Sequence, residues 1–286
     1  MTSDGKYKPT KFCTKLAESD FGITAQFYND YMIPMCNHMP EFLAKTGYEN
    51  PKNNRRSIFD STFNWRGGLF KYFKEHPDQG EVFNIVQKTS TSNQTRWISI
   101  YPSQLLLEGD PQLPLFVDVG GSVGQDVQCF LEKHPETASR LYLEEIPSVL
   151  ADEKSTVVKG INKVPYSFFN PQPIKHARAY YMHHILHDWP DNQARKILEM
   201  QKTAMKPGYS KILVHDQIMK DDRPAHPHAA AFDIGMMAFG SAQERTEKEW
   251  EALITSAGLK IVKIWTVPSA AEGIIEIDLA AEKSKL

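Results

Sequence analysis

The chain has 286 residues, of which 41% are hydrophobic and 24% charged, with a formal net charge of −2. This balance leaves no electrostatic footprint for nucleic acid, and no apolar run approaches the ~18 residues of a membrane-spanning helix. Cys13, Cys36 and Cys129 are too few and too scattered for a disulfide framework. The ten histidines show no HExxH pattern, so no metal site is expected.

The length suits one large domain or two modest ones, and the texture divides the chain in two. Residues 1–105 read as a mostly helical N-terminal region. Its start, "MTSDGKYKPTK", lacks the apolar core of a signal peptide. "FYNDYMIPMCNHMPEFLAKTGY" and "LFKYFKEHPDQGEVFNIVQKT" carry apolar residues three and four apart, the spacing of amphipathic helices. Pro34, Pro40, Pro51 and Pro77 are expected to break those helices. The basic cluster "KNNRR" at 52–56 reads as a solvated loop.

Residues 106–286 alternate. "LFVDVG", "RLYLEE", "ARAYYMHH", "KILVHDQI", "KIVKIWTV" and "IIEIDLA" read as strands. "DVQCFLEKHP", "NQARKILEMQKTAM" and "TEKEWEALITSAG" read as helices, the last closed by Gly258. Such alternation predicts a largely parallel α/β sheet, with ligands at the carboxyl ends of its strands. "HPHAA" at 226–230 reads as loop. The terminal Ser284, Lys285 and Leu286 match a peroxisomal address, so the cytoplasm or the peroxisome is the expected compartment.

Two segments carry chemistry. In "LFVDVGGSVGQD", Asp118 ends the first strand and Gly120, Gly121 and Gly124 follow. Glycines let a backbone approach a ligand closely. Further on, "LYLEEIPSV" puts Glu144 and Glu145 at the end of the second strand, where an acid can accept both ribose hydroxyls. A dinucleotide and S-adenosylmethionine (SAM) both fit so far. Asp118 would repel a diphosphate and favour a cationic, phosphate-free nucleoside; the alternative is that it only caps the following turn. The second segment, "YYMHHILHDWPDNQARKIL", runs from a strand into a loop with His187, Asp188 and Trp189. A histidine there can exchange a proton near neutral pH, and Trp189 could stack on an adenine. Asp216 and Glu244 are placed to orient the ring. A structural histidine beside capping acids is the competing reading.

These segments, with "FFNPQPIKHARAYYMHHILHDWPD", "ILVHDQIM" and "FDIGMMAFGSAQERTEKEWEALITSAGL", resemble in order the fungal and plant SAM-dependent O-methyltransferases of the caffeate/flavonoid type. The resemblance runs over roughly residues 20–280 and implies a Rossmann-like methyltransferase domain at 106–286. His187 then corresponds to the general base, flanked by Asp216 and Glu244. Glu145 corresponds to the ribose-binding acid and Ile146 to an apolar neighbour of the adenine. Gly120 meets the methionine part, and Ser167 and Phe168 take adenine-contacting positions. Ser167 stands where relatives often carry an acid, and Ser122 replaces a common glycine. Phe83, Met236 and Met237 fall on acceptor-pocket positions, with core packing as their other reading. Relatives are usually longer ahead of the glycine loop. Residues 1–105 therefore read as a truncated dimerisation and substrate-lid part, to be covered in a homodimer or by a partner chain.

The implied reaction is methyl transfer from SAM to a hydroxyl of a small aromatic or polyketide metabolite, releasing S-adenosylhomocysteine. One alternative keeps SAM but catalyses a pericyclic, dehydration or decarboxylation step. Another is a non-catalytic subunit of a second enzyme.

Overall fold

A computed structural model of the chain describes residues 5–18, 20–91, 95–151, 160–222, 227–268, 270 and 272–280. Of the loop read at "HPHAA", only His226 lies outside them, and residues 227–230 instead begin a helix; the terminal Ser284, Lys285 and Leu286 also lie outside. Among the described residues, no helix is long and apolar enough to cross a membrane. The chain forms two compact units, one of Met1–Gln94 with Ile234–Ala242 and one of Thr95–Asp233 with Gln243–Leu286.

The first unit is helical: α1 (Lys11–Glu18), α2 (Phe21–Phe27), a π-helical turn (Tyr28–Met32), α3 (Ile33–Lys45), α4 (Ile58–Thr62), α5 (Leu69–Glu75) and α6 (Pro77–Thr91). Phe27, Tyr31 and Met35 recur every fourth residue and form one buried stripe. The stripe packs with Phe59 and Phe73 into an aromatic core. A capping box between Ser57 and Asp60 starts α4. Pro77 begins α6 as the sequence suggests, but Pro40 lies inside α3 instead of breaking it. Both Met35 and Met39 of α3 pack into the core, and such burial outweighs the ~3 kcal/mol penalty of an interior proline.

The second unit is built on seven strands: β1 (Phe116–Val119), β2 (Leu141–Glu145), β3 (Asn162–Pro165), β4 (Ala179–His183), β5 (Lys211–Gln217), β6 (Leu259–Thr266) and β7 (Glu272–Leu279). Their order is β3-β2-β1-β4-β5-β7-β6. β1 to β5 are parallel, and β7 inserts antiparallel between β5 and β6. Helices α7 (Trp97–Ile100), α8 (Gln125–Lys133), α9 (Pro147–Leu150), α10 (Asp191–Lys202), α11 (Pro227–Gly240) and α12 (Glu247–Ser256) follow in the chain. On one sheet face Trp97, Phe116 and Phe130 stack, with centroids 5.1–5.9 Å apart. On the other, Tyr180, Val214 and Ile275 pack with Ile197 and Trp250. Each such buried side chain stabilises the fold by about 1.5–3 kcal/mol.

The unit boundaries differ from the sequence division at residue 105 in two places. Trp97 and Leu106 are core residues of the sheet, so the sheet unit starts at Thr95. The later half of α11 joins the first unit, where Ala238 and Phe239 enter the aromatic core.

Candidate active site

The two chemical segments lie at the carboxyl ends of β1, β2, β4 and β5. β2 and β4 flank β1 on opposite sides, which opens a crevice at this edge. Gly120 turns the chain at φ +71°, and a Cβ there would stand 2.8 Å from Ile185 Cδ1. Beneath the loop, a Cβ on Gly121 would meet the Asp118 carboxyl carbon at 2.4 Å. Asp118 is buried and accepts from Val127 N–H at 3.2 Å, tying the loop to α8. Its contacts within the protein are thus those of a cap on the following turn. Burial and the neighbouring Asp126 push its carboxyl well above the usual range.

The two adjacent acids of β2 turn to opposite faces. Glu144 is fully buried and accepts from Gln172 Nε2 at 2.8 Å, and burial pushes its pKa up to about 7. Glu145 stays at the crevice. Its two oxygens accept Ser122 N–H at 3.2 Å and Ile146 N–H at 2.6 Å. Each oxygen keeps a lone pair for a further donor. Ile146 is 45% exposed beside it, a large apolar surface for a planar ring. A close-approach loop, a strand-end carboxylate and an exposed apolar residue fit a nucleoside with a cationic tail.

His187 sits in a 3-10 turn, Leu186–Asp188, after β4. It is 5% exposed. Nδ1 lies 2.9 Å from Glu244 Oε1 and 3.7 Å from Asp216 Oδ1, and Nε2 lies 3.6 Å from Asp188 Oδ1. Burial alone would depress its pKa, but Asp216, Asp188 and Glu244 outweigh burial and push it up to about 10. Burial also raises Asp216 to about 7 and Asp188 to about 6. The proton is thus held on His187. Both Asp216 oxygens and Glu244 Oε2 are buried without a hydrogen-bond partner.

Three consecutive residues hold this arrangement. Glu244 carries the carboxylate on Nδ1, and its own N–H donates to Asp233 at 2.9 Å. Arg245 is fully buried and clamps the His187 loop from both sides. Its Nη1 donates to Leu186 O at 2.9 Å and its Nη2 to Trp189 O at 2.8 Å. Thr246 caps α12 in a box with Glu249.

The O-methyltransferase domain family matches residues 46–260. The chain belongs to that family. It is 48% identical over 279 residues to the O-methyltransferase mfmE of Annulohypoxylon moriforme, covering 97% of this chain and 69% of that protein. Among solved structures it is similar to the LepI complex with SAM, at TM-score 0.85 and 26% identity, covering 97% of this chain and 72% of that one. A structure described as a pericyclic reaction enzyme matches with the same values. This methyltransferase is therefore a SAM-dependent enzyme of the Rossmann-like class.

In the methyltransferase, Asp118, Gly120, Gly121, Glu145 and Phe168 surround one loop; Phe168 Cε1 would lie 3.5 Å from a Cβ on Gly120. Ser167 and Phe168 follow β3, and Phe168 contacts Phe169 at 5.1 Å. Trp189 meets Phe169 edge-on at 4.8 Å. His187, Asp216 and Glu244 meet around one imidazole. Phe83, Met236 and Met237 fall in the first unit, where Phe83 stacks on Phe73 at 4.7 Å and Met237 packs on the aromatic core. Sequence reasoning missed Ile185, which walls the loop, and Arg245, although "ERT" carries both Arg245 and a predicted acid.

Gly121→Ala is expected to displace the loop and weaken SAM binding at least about tenfold, some 1.4 kcal/mol. Calorimetry reads this directly. Gly22→Ala, where a Cβ meets nothing within 4 Å, should leave the affinity unchanged.

Proposed function

We propose that this methyltransferase methylates a hydroxyl of a small aromatic or polyketide metabolite, with His187 as the general base. The observation that carries the reading is the His187 cluster: Glu244 holds Nδ1 at 2.9 Å, which leaves Nε2 to receive a proton. When bound, SAM supplies a methyl group on a sulfonium. Gly120 and Gly121 admit its methionine part, Glu145 takes the ribose hydroxyls, and Ile146, Ser167, Phe168 and Trp189 surround the adenine.

A phenol has a pKa of about 10 and is a weak nucleophile when protonated. Nε2 takes the proton as the oxygen attacks, and a base of comparable pKa does so at little thermodynamic cost. The orphaned oxygens of Asp216 and Glu244 give a hydroxylated ligand acceptors inside the cluster.

The likeness to a pericyclic reaction enzyme supports a second reading, in which SAM is retained and no methyl moves. Incubation with SAM and extracts of the producing organism separates the two. The expected product is heavier by one CH₂, with S-adenosylhomocysteine released in equal amount. A product of unchanged mass, or one lighter by water or CO₂, would establish the second reading.

A further inference from the structure

On the face of the sheet that carries α8, a second histidine cluster stands apart from the His187 carboxylates. The strand registers create it. His183 and His215 are direct partners on parallel β4 and β5. Glu272 pairs with Gln217 on antiparallel β7, two residues beyond His215 and so on the same face. Their side chains are 18%, 1% and 6% exposed.

His215 Nε2 lies 3.3 Å and His183 Nε2 3.5 Å from the same Glu272 Oε2. Both nitrogens are buried and face that oxygen as ion-pair partners, but neither makes an aligned hydrogen bond. Two buried imidazole nitrogens converging on one carboxylate oxygen without aligned hydrogen bonds suit a shared cation. Every other polar atom of the trio is oriented from behind. His183 Nδ1 is 2.7 Å from Asp126 Oδ2, His215 Nδ1 is 2.7 Å from Tyr181 OH, and His184 Nε2 is 2.8 Å from Glu272 Oε1.

We infer that His183 Nε2, His215 Nε2 and Glu272 Oε2 form a binding site for a divalent transition metal of the Zn²⁺ type. Zinc bonds of about 2.0–2.2 Å in a tetrahedron place neighbouring ligand atoms about 3.3–3.6 Å apart, the range of the two separations found. Metal-binding histidines characteristically donate their other N–H to a carboxylate or a similar acceptor, as His183 and His215 can here. Two imidazoles and one carboxylate suit zinc, cobalt or iron(II), and not calcium or magnesium, which prefer oxygen. Three protein ligands leave one position for water. Such a site would staple the carboxyl ends of β4 and β5 to the start of β7. It reaches the catalytic loop through His184, whose ring stacks on that of His187 at 4.9 Å.

The rival occupant is a proton. Burial disfavours it, yet Asp126 and Glu272 hold it on His183 with a pKa pushed up to about 10. Metal content separates the two. Tag-free full-length chain is stripped with a chelator, equilibrated with Zn²⁺ alone, dialysed and analysed by mass spectrometry. About one retained equivalent is expected, and Co²⁺ should give the visible absorption of a tetrahedral site. His215→Gln should abolish both signals. Asp126→Asn, which removes only an orienting partner, should weaken binding about 10–100-fold. Should His215→Gln fail to fold, the Co²⁺ spectrum of the unaltered chain decides. No retained zinc, no Co²⁺ band, or binding unchanged in a folded His215→Gln would overturn the site.

Discussion

His187→Gln is expected to lower methyl transfer by about 10²–10⁴-fold while SAM binding stays within about twofold of the parent. Gln fills nearly the same space but cannot take a proton at the position of Nε2. The His187 ring is 5% exposed, and its carboxylate neighbours lie in the sheet unit, as do the glycine loop and Glu145. Loss of turnover with intact calorimetric binding would thus place the effect on proton transfer. Full turnover in this variant would end the assignment.

The pH profile carries the same claim further. A base works only when unprotonated, and Asp216, Asp188 and Glu244 overcome burial to hold the His187 pKa at about 10. The neutral imidazole is then the minor form at neutral pH and grows about tenfold per unit, so kcat/KM should rise between about pH 7 and 9. Glu244→Gln removes a negative charge 2.9 Å from Nδ1. That substitution lowers the His187 pKa, so the rise should move to lower pH even as the maximum falls through looser orientation. A shift in the opposite direction would remove Glu244 from the proton's electrostatics.

Particular residues show what one sequence discloses. β1 was legible because Phe116 to Val119 form an uninterrupted buried run with no polar break except Asp118. β3 was missed because three of the four residues of "NKVP" are exposed, and its backbone pairing leaves no apolar pattern. The placement of the glycine loop after β1 and of His187 after β4 was legible because both follow short apolar runs. The pairing of His187 with Glu244 was offered from the residues alongside a capping reading, and the resemblance favoured it, since nothing local links a turn after β4 to one before α12. His183, His215 and Glu272 were not legible as a group. Their meeting depends on β7 entering between β5 and β6, a crossing that chain order does not reveal. A search for local HExxH spacing could not find them.

Arg245→Leu is expected to destabilise the sheet unit by about 2–4 kcal/mol and to cost most of the activity. The side chain touches neither nucleoside loop nor Nε2, so its effect runs through position. Its guanidinium satisfies the carbonyls of Leu186 and Trp189, which bracket His187 in the chain, and reaches Asp191 Oδ1 at 2.9 Å. It also lies over the Trp250 ring, 5.1 Å from the centroid. Leucine keeps much of the volume but removes the guanidinium's bonds to both carbonyls, and a hydrogen bond to a charged donor is worth about 1.5–3 kcal/mol. Lysine keeps the charge but not the planar fork, so Arg245→Lys should recover only part of the loss. Thermal unfolding reads the stability, and a fall in kcat larger than the change in SAM affinity reads the displaced loop. The Asp191 side chain is 66% exposed and regains water once the arginine is gone. Asp191→Asn should therefore cost much less than Arg245→Leu. The reverse order would put the stabilisation in the ion pair, and Arg245 would then lose its place as the positioning residue for the His187 loop.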